Sequence, residues 1–103
     1  MTQKIFVNIP VSDLERSKAF YQAIGFSLNL NFADETACCV VISEHIFLMI
    51  LTYPRFEGFA TLPRADTQKT TGAMFALSCQ DRAAVDKITQ AALAAGGSEP
   101  KPF

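Results

Sequence analysis

Side chains able to do chemistry are few in this 103-residue chain. The one histidine, His45, sits in Ser43-Glu44-His45 between two apolar runs. With no second histidine or carboxylate pair to complete a ligand set or a general base, it reads as a turn residue. Of the three cysteines, Cys38 and Cys39 are adjacent and Cys79 stands alone, so no Cys-x-x-Cys spacing exists. Neighbouring residues on a strand point to opposite faces. The pair is therefore expected to act as small buried hydrophobes, with one thiol reactive if it faces a cleft. Gly96-Gly97 lacks the surrounding glycines of a nucleotide fingerprint and reads as a helix stop. No phosphate loop or nucleophile elbow occurs.

These residues must be held by a small, apolar chain. Half of it is hydrophobic, with nine Phe, and charged residues make up 18%, against roughly 25% in ordinary soluble domains. That composition excludes disorder. Nine Lys+Arg against ten Asp+Glu give a net charge of −1, which provides no field for nucleic acid or an anionic membrane. The longest apolar runs, Ala37 to Ile42 and Ile46 to Leu51, are too short to span a bilayer. An odd cysteine count with no basic-then-apolar leader points to a reducing compartment, so a soluble cytoplasmic protein is expected.

Period-2 alternation through Ile5, Val7 and Ile9 predicts a first strand, closed by Pro10. Ser12-Asp13-Leu14-Glu15 matches a capping box. In the helix that follows, Leu14, Ser17, Phe20, Tyr21 and Ile24 share one face, and Gly25 supplies the stop. Strands are then expected over Phe26 to Phe32, Ala37 to Ser43 and Ile46 to Thr52, paired as an antiparallel meander. Residues 53–71 break the pattern with Pro54, Gly58 and Pro63, and read as a linker whose aromatics dock on something. From Gly72 the layout repeats. A strand to Cys79 is expected, then a helix capped by Asp81 with Val85, Ile88, Ala92 and Ala95 as its apolar stripe, then Gly96-Gly97.

The segment Val11-Ser-Asp-Leu-Glu-Arg-Ser-Lys-Ala-Phe-Tyr-Gln-Ala-Ile-Gly-Phe26 resembles the opening V-x-D-x-x-x-S-x-x-F-Y-x-x-x-G-F pattern of the vicinal oxygen chelate superfamily, which contains glyoxalases, bleomycin-resistance proteins and extradiol dioxygenases. Ala76-Leu-Ser-Cys79, followed by a helix and glycines, supports it. The resemblance implies an α+β fold of paired βαβββ modules, each a curved sheet around a cleft, commonly combined in a homodimer. One domain over residues 1–103 is expected, with module one at about 4–52, a linker at 53–71 and a partial module two at 72–103 that stops after its first strand and helix.

Active members of the superfamily carry His, Gln or Glu metal ligands on four strands. The matching positions here are Phe6, Ile50 and Met74, and the fourth falls on a strand the sequence does not reach. Phe and Ile cannot ligate, and a lone thioether suits soft ions. A one-residue slip offers Ile5 or Val7, Met49 or Leu51, and Ala73 or Phe75, which are no better. No metal and no other cofactor is therefore expected.

Alternation from these positions predicts a cleft of Phe6, Asn8, Ile46, Leu48, Ile50, Thr52, Met74, Ala76 and Ser78. Ile5, Val7, Ile9, Phe47, Met49, Leu51, Phe75 and Leu77 would then pack under the helices. Tyr53, Arg55, Phe56 and Arg64, with Phe59 and Asp66, are candidate rim residues, and an arginine there is suited to gripping a carboxylate. Three functions are open at this point. One is a metal-independent binder of a small apolar or aromatic molecule, expected to be a homodimer. Another is a metal-dependent enzyme of the lactoylglutathione lyase or dioxygenase type. The last is a dimeric assembly module whose cleft is filled by protein.

Overall fold

The structure, a computed structural model, describes residues 2–99. Its elements run β1 (Ile5–Val11), α1 (Leu14–Ala23), β2 (Ser27–Ala33), β3 (Ala37–Val41), β4 (Ile46–Thr52), α2 (Tyr53–Phe59) and α3 (Arg82–Ala94). The first five form the expected βαβββ module, so the fold is α+β. Residues 100–103 of the anticipated second module lie outside the described residues. No helix among the described residues is long and apolar enough to cross a membrane.

The sheet order is β1-β4-β3-β2. β2, β3 and β4 pair antiparallel as the meander predicts, while β1 runs parallel to β4 at the edge. β1 continues through Pro10 to Val11, beyond the expected stop. An edge strand tolerates proline because only one side of it must supply ladder bonds.

Local signals set the helices. Asp13, not Ser12, is the N-cap of α1: its Oδ1 accepts from Arg16 N at 3.1 Å, which moves the start one residue past the capping-box reading. Asp81 caps α3 in the same way, accepting from Ala84 N at 2.8 Å. Gly25 and Gly96 both stand at positive φ, 109° and 105°, just past their helices, where a Cβ would strain the backbone. The predicted face of α1 packs down, with Leu14 buried and Ser17, Phe20, Tyr21 and Ile24 half-buried. On α3, Ile88, Ala92 and Ala95 are half-buried but Val85 is exposed.

Two expectations in the second half are corrected. Residues 53–71 are not an unbroken linker, because α2 opens them with Thr52 as N-cap and Pro in its first turn. The strand expected from Gly72 to Cys79 does not form, and Met74, Phe75 and Leu77 are exposed. A strand gains its hydrogen bonds only from a neighbour, and no strand among the described residues pairs with this stretch.

The register fixes the two faces of the sheet. Ile9 opposes Ile50, Ile50 opposes Cys38, and Leu48 opposes Val40. Residues opposite one another share a face, and these pack with Leu14 as the core beneath α1. Phe6 opposes Phe47, Asn8 opposes Met49 and Leu51 opposes Ala37 on the other face. Ile50 is wholly inaccessible whereas Phe6 is half exposed. Accordingly, Ile50→Ala should cost about 3 kcal/mol in denaturant unfolding, and Phe6→Ala about 1 kcal/mol, mainly its stacking on Phe47. Equal losses would place the two side chains in equivalent surroundings, against this register.

Candidate functional site

The face of the sheet turned away from α1 carries Phe6, Asn8, Phe47, Met49 and Leu51 from its two strands β1 and β4. Phe6 and Phe47 stack with ring centroids 4.7 Å apart. α2 lies across the far end of this face. Between them is a cavity of about 440 Å³ walled by Asn8, Leu51, Phe56, Phe59 and Ala60. A second cavity, of about 680 Å³, runs along β1 from Val7 to Pro10 and is closed on its outer side by residues of the 64–75 segment. Both faces of β1 contribute to it, as fits a space at the open edge of the sheet. Asn8 and Phe56 line both cavities, so the two adjoin there. Asn8 Nδ2 donates to Phe6 O at 3.2 Å.

Of the predicted cleft residues, Phe6 and Asn8 lie on this face. Leu48, Ile50 and Thr52, with Ile46, do not: the register turns them to the α1 side, and Met49 and Leu51 take their place. The cause is a one-residue phase error along β4, which moves every side chain of a strand to the other face. Met74, Ala76 and Ser78 lie exposed on an irregular segment and join no cleft wall, while Phe75, expected under a helix, lines the larger cavity. Cys38 and Cys39 do point to opposite faces, Cys38 into the core beside Ile50 and Cys39 beside Met49. Both are buried, and burial pushes both thiols up from their ordinary value. His45 is exposed in the β3–β4 turn, where its carbonyl accepts from Ile5 N.

The rim candidates divide by role. Phe56 is a wall of both cavities and Arg64 a wall of the larger. Arg64 lies 3.5 Å from the centroid of the Tyr53 ring and its Nε donates to Glu57 Oε1 at 3.1 Å, tying the segment after α2 back onto that helix. Arg55 is engaged elsewhere. Its Nη1 donates to Thr36 Oγ1 at 3.2 Å and its guanidinium covers the Phe59 ring, so it clamps α2 to the β2–β3 turn. Phe59, also a rim candidate, walls the smaller cavity, whereas sequence reasoning missed Leu51, Pro10 and the threonines Thr67, Thr70 and Thr71 as lining residues. The proline two residues after Thr52 was the available sign that a helix begins there.

A divalent metal does not fit this arrangement. Phe6 offers no donor, Met49 or Leu51 replaces Ile50 without adding a hard one, and Met74 is remote from the sheet ladder. Among the described residues no three His, Cys, Asp or Glu side chains gather where they would hold an ion.

Comparison with known proteins agrees with the geometry of the module. Residues 3–43 match the family described as bleomycin resistance protein-like N-terminal. No curated protein matches the sequence. Among solved structures, a hypothetical protein from S. aureus superposes with a TM-score of 0.75 at 23% identity, over 93% of this chain and 71% of that one. A glyoxalase/bleomycin resistance protein/dioxygenase family enzyme from Burkholderia phytofirmans PsJN gives 0.69 at 24% identity, over 92% of this chain and 74% of that one. These likenesses establish the fold. Together with the matched segment, they bear out the resemblance to the vicinal oxygen chelate superfamily carried by Val11 to Phe26.

The clamp that holds α2 over the site has a pH signature. Asp34 Oδ1 accepts from both the hydroxyl and the backbone N–H of Thr36, at 2.7 Å each. These two hydrogen bonds, aided by the charge of Arg55, hold the Asp34 carboxyl below its usual value of 3.8. A depressed folded-state value means that the contribution to stability is complete above the unfolded value and is lost as pH falls through the folded one. The acid limb of the stability curve below about pH 4 should therefore be shallower in Asp34→Asn than in the parent. Superimposable limbs in thermal melts from pH 5 to 2 would show that this carboxylate does not hold the turn.

Proposed function

We propose that this protein is a metal-independent binder of small, largely apolar or aromatic molecules, of the bleomycin-resistance kind. The observation that carries the reading is the apolar open face of the sheet, where Phe6, Phe47, Met49 and Leu51 stand in place of polar or metal-binding side chains. Hydrophobic walls with a few convergent polar groups are the usual makeup of a small-molecule pocket. Leu51, Phe56 and Phe59 supply the walls, and Asn8 supplies the polarity at the junction of the two cavities. A hydrolytic or redox role at this face would need an accessible nucleophile, a base or an ion; the thiol on it, Cys39, is buried, and burial pushes it up from its ordinary value. The three free cysteines support a reducing, cytoplasmic setting.

The test is a thermal-shift screen of uncharged aromatic and aliphatic compounds against the full chain. A ligand present at a hundred times its Kd should stabilise the protein by about 2.7 kcal/mol, and Leu51→Arg should abolish the shift. A broad panel without a single stabilising compound counts against the reading. Elemental analysis of protein purified without an affinity tag is the companion measurement. Stoichiometric Ni, Zn, Mn or Fe would favour the metal-dependent lyase or dioxygenase alternative instead.

The binder is proposed to act as a homodimer. α3 buries no residue completely, and Leu62, Met74 and Phe75 are exposed. Apolar side chains in such number outside a core favour a protein surface that covers them. Sedimentation equilibrium at micromolar concentration should return twice the 11.3 kDa chain mass, and a monomer mass would remove the dimer from the proposal. A dimer in which protein fills both cavities would make the molecule an assembly module, and it would then bind none of the screened compounds.

A further inference from the structure

We infer that the larger cavity takes small aromatic carboxylates, with Arg64 as the group that holds the anion. The inference rests on the reading of the sheet's open face as a small-molecule site and names the ligand class it accepts.

Among the described residues, Arg64 is the only cationic side chain lining either cavity. Its orientation is fixed by two contacts that leave part of it unused. The guanidinium carbon lies over the Tyr53 ring, 3.5 Å from its centroid, and the Nε edge donates to Glu57. Its two Nη groups make no hydrogen bond to any described residue. They form the free end of a side chain that is only 25% exposed. A guanidinium held by stacking and by one edge offers its remaining N–H groups as a rigid fork, which matches the two oxygens of a carboxylate. The rest of the cavity selects the body of the ligand. Phe56, Phe75 and Pro10 give flat apolar walls, and Thr67 and Thr71 add neutral hydroxyls. Thr70 is occupied, donating to Asp66 O at 3.0 Å. One cation among apolar walls suits a monoanion with a planar apolar body better than a phosphate, whose second charge would find no partner.

Glu57 sharpens the prediction. Its carboxylate competes for the same guanidinium, yet it is half exposed and reaches only Nε. Neutralising it should strengthen ligand binding, which no purely structural role for the pair would produce.

The experiment is isothermal titration of the full chain with 2-naphthoate and with the isosteric neutral 2-naphthamide. The parent protein should bind the carboxylate at least about tenfold more tightly than the amide. Arg64→Gln should erase that preference, lowering carboxylate affinity at least about tenfold and amide affinity far less, with a cooperative thermal melt reporting that the variant is folded. Glu57→Gln should tighten naphthoate binding severalfold and leave the amide alone. Equal affinity for the two probes, or a preference that survives Arg64→Gln, overturns the anion anchor while the amide binding upholds the cleft as a small-molecule site. If neither probe binds, the inference falls, and the thermal-shift panel alone decides the wider small-molecule reading. Should Arg64→Gln fail to fold, the Glu57→Gln titration decides alone, and an unchanged naphthoate affinity overturns the inference.

Discussion

Everything in this molecule is hung on the phase of β4. Among the described residues it alone pairs parallel on one side, to β1, and antiparallel on the other, to β3. Its consecutive residues Ile50 and Leu51 are both buried, at 0% and 2% exposure, on opposite faces of the sheet. Ile50 joins Leu14, Cys38 and Val40 in the core beneath α1. Leu51 floors the smaller cavity beneath Phe56 and Phe59. A slip of one residue would exchange these assignments along the whole strand. Because β1 takes its register from β4, the slip would also reassign which side chains of β1 stand beside the cavities.

That phase could not be read from the residues. Ile46-Phe-Leu-Met-Ile-Leu51 is apolar at every position, so it carries no alternation to say which half faces α1. Cys38-Cys39-Val40 has the same ambiguity. Phe6 and Asn8, by contrast, alternate with Ile5, Val7 and Ile9, and the register sets both on the open face. The module itself was legible, as were the stop at Gly25 and the buried face of α1, because each rests on a few neighbouring residues with a clear chemical signature. α2 was hidden because its short sequence Tyr53 to Phe59 holds both Pro54 and Gly58, which dominate any propensity reading.

The repeated β-α layout shows where local reasoning stops. Both halves have an aspartate N-cap and a glycine at positive φ, and both helices form at their predicted places. Caps and stops act within a few residues of themselves, so the helix of the second half appears even where little packs against it. The strand before it does not appear. The first strand finds β4, but the stretch from Gly72 to Cys79 finds no partner among the described residues. Sequence periodicity states which face a strand would present; only a neighbour makes it a strand.

The polar groups around the cavities follow from that same economy. A net charge of −1 leaves no long-range field to gather a ligand, so selection has to come from individual side chains held in place. Arg55 and Arg64 lie on either end of the α2 region and are spent differently. Arg55 is committed to Thr36, beside Asp34 and over Phe59, and keeps the helix against the β2–β3 turn. Arg64 gives only one face and one edge to Tyr53 and Glu57. The first arginine makes the wall stable enough for the second to be held at a fixed position in it. A flexible lysine at 64 would keep the charge and lose both the stacking and the fork that fix its direction. In the proposed reading, the apolar face accommodates the body of a small molecule and the arginine held beside it recognises one end of it.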